Sequence, residues 1–259
     1  MIAVEEFVRD GFVHVEGAFP EAVAADCRAL LWEQMDASPD DPATWTAPVV
    51  RLGYQSGGPF EAALNTPRLH AAYDALAGAG RWMPRSDLGT FVVRFPSAEP
   101  PGDDGWHVDA SFPPIPPDEP TDPFAWRVNL ASRGRALLML VLLSDVAEED
   151  APTRIRVGSH LDVARILAPH AEDGLPMMEL SRRAAEATAG HRIALAAGRA
   201  GDVYLCHPFL VHAAQPHRGS EPRFLAQPPL HPRGWIDASF DPVDGEAPVE
   251  AAIRHALGR

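Results

Sequence analysis

Between Arg135 and Ser144 the chain runs Ala-Leu-Leu-Met-Leu-Val-Leu-Leu, with no polar side chain to turn toward water on either face. An amphipathic helix or a half-exposed strand would keep a polar face, so whatever this run forms is covered on both sides. It is far shorter than the roughly 18 apolar residues of a membrane span, and no other segment approaches that length. The stretch Arg135 to Val146 (RALLMLVLLSDV) therefore predicts a strand buried on both faces, its leucine content leaving a helix open. With 259 residues and 46% hydrophobic content the chain can supply that cover, as one large domain or two small ones.

The rest of the chain alternates helical and strand patterns. Phe7 to Val15 surrounds the turn signal Asp10-Gly11 and predicts a strand pair, or a helix end feeding a strand. Pro20 to about Met35 carries Val23, Cys27, Leu30 and Leu31 at helical spacing behind a proline and an early glutamate, and Pro67 to Ala77 keeps the same period. Leu88 to Phe95 (LGTFVVRF) has strand composition with Arg94 as its one charge, and Thr153 to Val157 alternates again. Val163 to Leu167 and Leu175 to Ala189 predict helices. GDVYLCHPFLVHAAQP predicts a strand kinked at Pro208 and then resumed, and AAIRHALG a terminal helix. No internal repeat, low-complexity tract or linker divides the sequence, so a single domain is the simplest parse.

A formal net charge of −14 and few clustered cations argue against nucleic acid or an anionic membrane as partner and leave small-molecule chemistry open. Cys27 and Cys206 form no paired ligand spacing or disulfide framework and are expected to be buried thiols. The opening MIAVEEFVRDGF has no basic leader before an apolar run, which predicts no secretory signal and a cytoplasmic protein.

Histidine supplies the chemistry. In GWHVDASF, His107 and Asp109 are two residues apart, and on an extended backbone such residues share a face. Both could converge on one ion while Val108 faces away. With 11 His and 20 Asp, a His-x-Asp triplet should arise by chance about once. It occurs twice, the second time at His160-Leu161-Asp162, where Asp162 suits a helix cap or first turn. The first copy lies in a proline-rich, acidic stretch from Pro96 to Pro123, and a loop of that length inside a compact domain is often functional. His207, His212 and His217 follow at intervals of five, so at most one or two can reach a common metal.

Trp106-His107-Val108-Asp109, the run EEDAPTRIRVGSH ending at His160, GDVYLCHPFLVHAAQP and the later Pro222-Arg223 resemble, in order, the phytanoyl-CoA dioxygenase family of iron(II)- and 2-oxoglutarate-dependent oxygenases. FVRDGFVHVEGAFP resembles that family's opening, and the likeness covers about Phe7 to Pro229. It implies a mainly β fold with flanking helices, a double-stranded β-helix or cupin-like jelly-roll barrel. A helical N-terminal part would span about 20–80, a barrel core about 86–230 and a C-terminal helix about 246–258. It further implies that His107, Asp109 and His212 form a 2-His-1-carboxylate triad for Fe(II), with positions left for O₂ and 2-oxoglutarate. Arg223, eleven residues after His212, would pair with the distal carboxylate of 2-oxoglutarate, with Arg218 as the fallback. His160 and Asp162 would be structural.

Two positions depart from many relatives: Ala214 stands where a serine is usual and His217 where an asparagine is. Asp109 itself points to an oxygenase, since related halogenases carry a small residue there. The resemblance implies hydroxylation of a small molecule with release of succinate and CO₂; the proline-rich Pro96 to Pro123 segment is the candidate lid, because its closing would shield a reactive intermediate. Rival readings are a cupin-type metalloenzyme that does not use 2-oxoglutarate and a jelly-roll binding protein whose histidines only pack. Arg127, Arg133 and Arg135 form a local basic cluster able to favour an anionic substrate.

Overall fold

The structure, a computed structural model, describes residues 2–113, 125–170, 172–234, 239–240 and 247–259. The apolar run becomes strand β5 (Leu137–Leu142), every residue of it buried. Its side chains alternate between two cores. Leu138, Leu140 and Leu142 pack with Ile155, Ala196, Tyr204, Cys206 and Leu225. Leu137, Met139 and Val141 pack with Phe7, Leu31, Leu69, Tyr73 and Leu76. Burying a leucine is worth about 1.5–3 kcal/mol, so a strand of this composition is stable only in the middle layer of a sandwich.

Around β5 the described residues form a seven-stranded sheet. Its order is β1 (Phe12–Val15), β9 (Val203–Cys206), β5, β11 (Arg223–Ala226), β3 (Asp87–Arg94) and β2 (Val49–Ser56), with β12 (Pro229–Leu230) also paired to β5. Each of these strand pairs is antiparallel. Helices α1 (Val4–Asp10), α2 (Glu21–Trp32), α3 (Gly58–Leu64) and α4 (Pro67–Ala77) contribute buried residues to the core on one side of this sheet. The Phe7–Val15 segment is thus a helix feeding a strand. Strands β1 and β2 join the sheet from outside the expected 86–230 core range, and β2 lies within the part expected to be helical.

The second core separates the large sheet from a three-stranded one, β10 (His212–Ala213), β6 (Arg154–Arg156) and β8 (Ile193–Leu195). Two sheets face to face with helices outside is the jelly-roll layout, although the large sheet does not close on itself. Strands β4 (Arg127–Val128) and β7 (Leu175–Pro176) pair separately. A third core joins Val108, Phe209 and Val211 to α5 (Ser159–Leu167), α6 (Met177–Ala187) and α7 (Pro248–Ala256). Both cysteines are free and buried, as expected, and burial pushes the Cys27 thiol up to about 12.

Among the described residues, no helix is long and apolar enough to cross a membrane. From Pro96 to Pro113 the chain pairs through isolated bridges, His107 with His212 and Phe112 with Arg127. Residues 114–123 of the expected lid lie outside the described residues.

Candidate metal centre

The site begins with a turn. After β9, the Leu210 N–H donates to the His207 carbonyl at 3.0 Å, which carries the chain past Pro208 into β10. There His212 pairs with Ile155 of β6 on one side and with His107 on the other. The His107 pairing lengthens the small sheet by one extended segment. Two flanking valines fix its orientation: Val108 and Val211 are fully buried in the helix-covered core. The Val108 N–H also donates to Ser181 Oγ on α6 at 3.1 Å. Because successive side chains on an extended backbone alternate faces, burying Val108 turns His107 and Asp109 the other way. Trp106 is stacked under two guanidinium groups, Arg154 at 4.8 Å and Arg156 at 4.2 Å from the ring centroid.

The two imidazole rings lie with centroids 4.4 Å apart. Asp109 Oδ1 sits 3.7 Å from His107 Nε2 and 3.7 Å from His212 Nε2. The ligand atoms of the three residues all fall within 4.8 Å of one another, the one such group among the described residues. Each ring is oriented from behind. His107 Nδ1 faces the Gly105 carbonyl at 2.9 Å and His212 Nδ1 faces the Leu210 carbonyl at 3.1 Å. A carbonyl can only accept, so both Nδ1 atoms carry the proton and both Nε2 lone pairs point into the site. His212 Nε2 is buried and has no hydrogen-bond partner. A buried, unsatisfied acceptor is costly, and a cation between the three groups would satisfy it.

The electrostatics suit a cation as well. Burial would raise the Asp109 pKa, but Arg135 and the two imidazoles outweigh it and hold the carboxyl below its ordinary value. Burial, then His107, lowers the His212 pKa to about 4, so that ring is neutral at pH 7. One carboxylate and two imidazoles that turn Nε2 inward form a donor set suited to a divalent transition metal.

The remaining residues singled out by the sequence separate clearly. Arg223 is 3% exposed, opposite Arg94 in the β11–β3 register. It lies two residues from Leu225, which packs between the sheets, so its side chain shares the inward face. Its Nη1 donates to the Ala151 carbonyl at 2.6 Å, while Nε is buried without a partner. Burial and the charge of Arg94 lower its pKa to about 9, which leaves it protonated at neutral pH. Arg94 forms an ion pair with Asp103 at 2.9 Å. Arg218 is exposed.

The second His-x-Asp triplet does not converge. His160 Nε2 faces the Val8 carbonyl at 3.1 Å, whereas Asp162 pairs with Arg165 and His191, each at 3.0 Å. His217 spans its own turn, Nδ1 accepting from the Gly219 N–H at 3.2 Å and Nε2 facing the Glu221 carbonyl at 2.7 Å. The Ala214 carbonyl accepts from Arg154 Nη2 at 2.6 Å. Of the basic cluster, Arg127 Nε donates to the Asp173 carbonyl at 2.7 Å, and the Arg133 guanidinium lies 5.3 Å from the Phe112 ring centroid. Arg135 reaches the site itself, Nη1 lying 3.1 Å from Asp109 Oδ2. Sequence reading grouped Arg135 with its neighbours by charge and had no signal for that contact.

With this geometry in view, comparison with known proteins decides the family. The model of phytanoyl-CoA dioxygenase (PhyH) matches residues 7–225. The chain belongs to that family. As a phytanoyl-CoA dioxygenase family member it is an iron(II)- and 2-oxoglutarate-dependent oxygenase.

Solved structures share the family fold. One is the non-heme alpha ketoglutarate dependent epimerase SnoN from nogalamycin biosynthesis, with TM-score 0.55, 21% identity, and 86% of this chain and 79% of that one covered. Another is HygX from Streptomyces hygroscopicus with nickel, 2-oxoglutarate and hygromycin B bound, with TM-score 0.50, 20% identity, and coverage of 85% and 82%. The carbocyclase SnoK from nogalamycin biosynthesis follows with TM-score 0.50, 18% identity, and coverage of 95% and 93%. A search of curated proteins gave no significant match.

Proposed function

We propose that His107, Asp109 and His212 hold the Fe(II), that Arg223 receives the distal carboxylate of 2-oxoglutarate, and that the enzyme hydroxylates a small molecule. The observation that carries the reading is the convergence of Asp109 Oδ1 with both Nε2 atoms, each at 3.7 Å, where His212 Nε2 has no other partner. When bound, iron with 2-oxoglutarate and O₂ supplies the oxidising power, with release of succinate and CO₂.

The chain's own residues then have distinct tasks. Gly105 and Leu210 carbonyls hold the two imidazoles in the tautomer that presents Nε2. His107, Asp109 and His212 would hold the ion with three donors, a set that would leave room for a chelating cosubstrate and O₂. Arg223 suits the distal carboxylate because a buried guanidinium with an unpartnered Nε offers a planar fork that is charged at neutral pH. Arg218, being exposed, is the weaker candidate.

The epimerase and carbocyclase among the structural neighbours make another oxidative outcome the alternative to hydroxylation. Anaerobic addition of Fe(II) and then 2-oxoglutarate tests the centre. A weak visible charge-transfer band should grow to one equivalent in the wild type and be absent in His212→Ala. Metal binding with no band would favour the cupin-type reading. Substrate screening by succinate release, with mass analysis for a product heavier by one oxygen atom, then tests hydroxylation.

A further inference from the structure

Asp109 treats its two oxygens differently. Oδ1 faces both imidazoles, whereas Oδ2 lies 3.1 Å from Arg135 Nη1. The same guanidinium uses Nη2 to donate to the Ala110 carbonyl at 2.6 Å, so its planar fork spans the side chain of one residue and the backbone of the next. We propose that Arg135 is the positioning residue of the metal centre, reserving Oδ2 of Asp109 so that only Oδ1 is offered to the ion. The inference rests on the ligand assignment above and adds to it a cause for one-oxygen coordination.

The turn that delivers Arg135 is built for the purpose. Ser132 adopts a left-handed backbone at φ 45°, an uncommon conformation for a residue with a side chain. It is held there from two sides: Ser132 Oγ donates to the Arg135 carbonyl at 2.8 Å, and the Arg135 N–H donates to the Ser132 carbonyl at 3.2 Å. Asn129 Oδ1 accepts from the Arg133 N–H at 2.9 Å. Gly134, at φ +78°, lies so close to the segment after Asp109 that a Cβ there would be 2.7 Å from the Ser111 carbonyl oxygen. Backbone of the turn therefore rests directly on backbone of the ligand-bearing segment. Arg135 is 8% exposed and cannot swing away from Asp109 without vacating a closed space.

This arrangement performs two tasks. Before metal enters, Arg135 gives the half-buried Asp109 carboxylate a counter-charge at 3.1 Å. Once metal is present, the ion pair opposes rotation of Asp109 into two-oxygen coordination, which would fill a position that 2-oxoglutarate or O₂ requires. Partners behind metal ligands typically change affinity or activity 10–100-fold when removed.

Cobalt(II) in place of iron tests the proposal without turnover, because its visible absorption reports coordination number and symmetry. Wild type should bind one equivalent. Arg135→Met should bind cobalt with a changed visible band and an affinity altered by about tenfold or more. Arg135→Lys, able to keep the charge but not both contacts, should recover a band nearer to wild type. It also stands as the readable variant if Arg135→Met does not fold, and then its band must differ from wild type. A wild-type band and affinity in Arg135→Met, or in Arg135→Lys where Arg135→Met does not fold, would overturn the positioning role while leaving the ligand assignment intact. Failure of the folded wild type to bind cobalt would overturn both.

Discussion

His107 and His212 exchange both of their backbone hydrogen bonds, each N–H donating to the other's carbonyl at 3.0 Å. The pairing joins the proline-rich segment to strand β10 and sets the two imidazoles side by side before any ion is involved. Register, and no single side chain, creates the site: a slip by one residue would turn Val108 inward and both ligands of that segment outward.

Asp109→Ala and His212→Ala should each abolish one-equivalent binding of a divalent transition metal in calorimetric titration. Asp162→Asn should leave it at wild-type affinity, since Asp162 pairs with Arg165 and His191. Loss of metal in the Asp162 variant would return the second triplet to contention.

Arg223→Ala should weaken 2-oxoglutarate binding by about one to two orders of magnitude, the range of a hydrogen-bonded charge pair worth roughly 1.5–3 kcal/mol, with metal content unchanged. Arg218→Ala should have no such effect, because that side chain is exposed. The charge-transfer titration reads both, and equal affinity in wild type and Arg223→Ala would remove Arg223 from the cosubstrate site.

Acid should destabilise the fold through two buried histidines. Burial lowers the His160 pKa to about 4, and burial followed by the neighbouring His160, 5.0 Å away ring to ring, holds that of His207 well below its ordinary value. An unfolded imidazole titrates near 6.5. Between about pH 6.5 and 4 the unfolded chain therefore takes up a proton that folded His160 refuses. Stability is full above that window and falls within it as pH drops, by on the order of 3 kcal/mol for His160. Urea midpoints measured across the window should show the slope, and His160→Gln should flatten it. An undiminished slope in the variant would place the acid sensitivity elsewhere.

Gly201 precedes β9 in the turn that the sequence marks with Gly198-Arg199-Ala200-Gly201-Asp202. It has φ +99°, and a Cβ there would lie 2.4 Å from the Phe19 carbonyl oxygen. Its N–H donates to Leu142 at 2.9 Å, and its carbonyl accepts from Phe19 at 3.1 Å. Gly201→Ala should cost about 1–3 kcal/mol from backbone strain alone, with the collision adding to it, and thermal unfolding would show a lowered midpoint. An unchanged midpoint would mean the turn has room to relax.

Local pattern reached far in this protein because its helices and strands follow their periods closely. α4 spans Pro67–Ala77 as the helical spacing predicts, and the kink at Pro208 separates β9 from β10. Strand β2 was missed because Val49–Ser56 buries few of its residues and carries no clean alternation. Its place is set by its long pairing with β3, a partner that a local reading does not see.

By itself the sequence determined that the run from Ala136 to Leu143 is covered on both sides, because an unbroken apolar run has no face to offer water. Through the ordered motifs of its family it also named His107, Asp109 and His212. Tertiary structure alone decided that their donor atoms meet, that His160 and Asp162 diverge, and that Arg135 takes the second oxygen of Asp109. Periodicity is a property of neighbours along the chain, whereas convergence depends on which strands pair and in what register, and on turns such as that at Ser132 and Gly134 that aim a side chain across space.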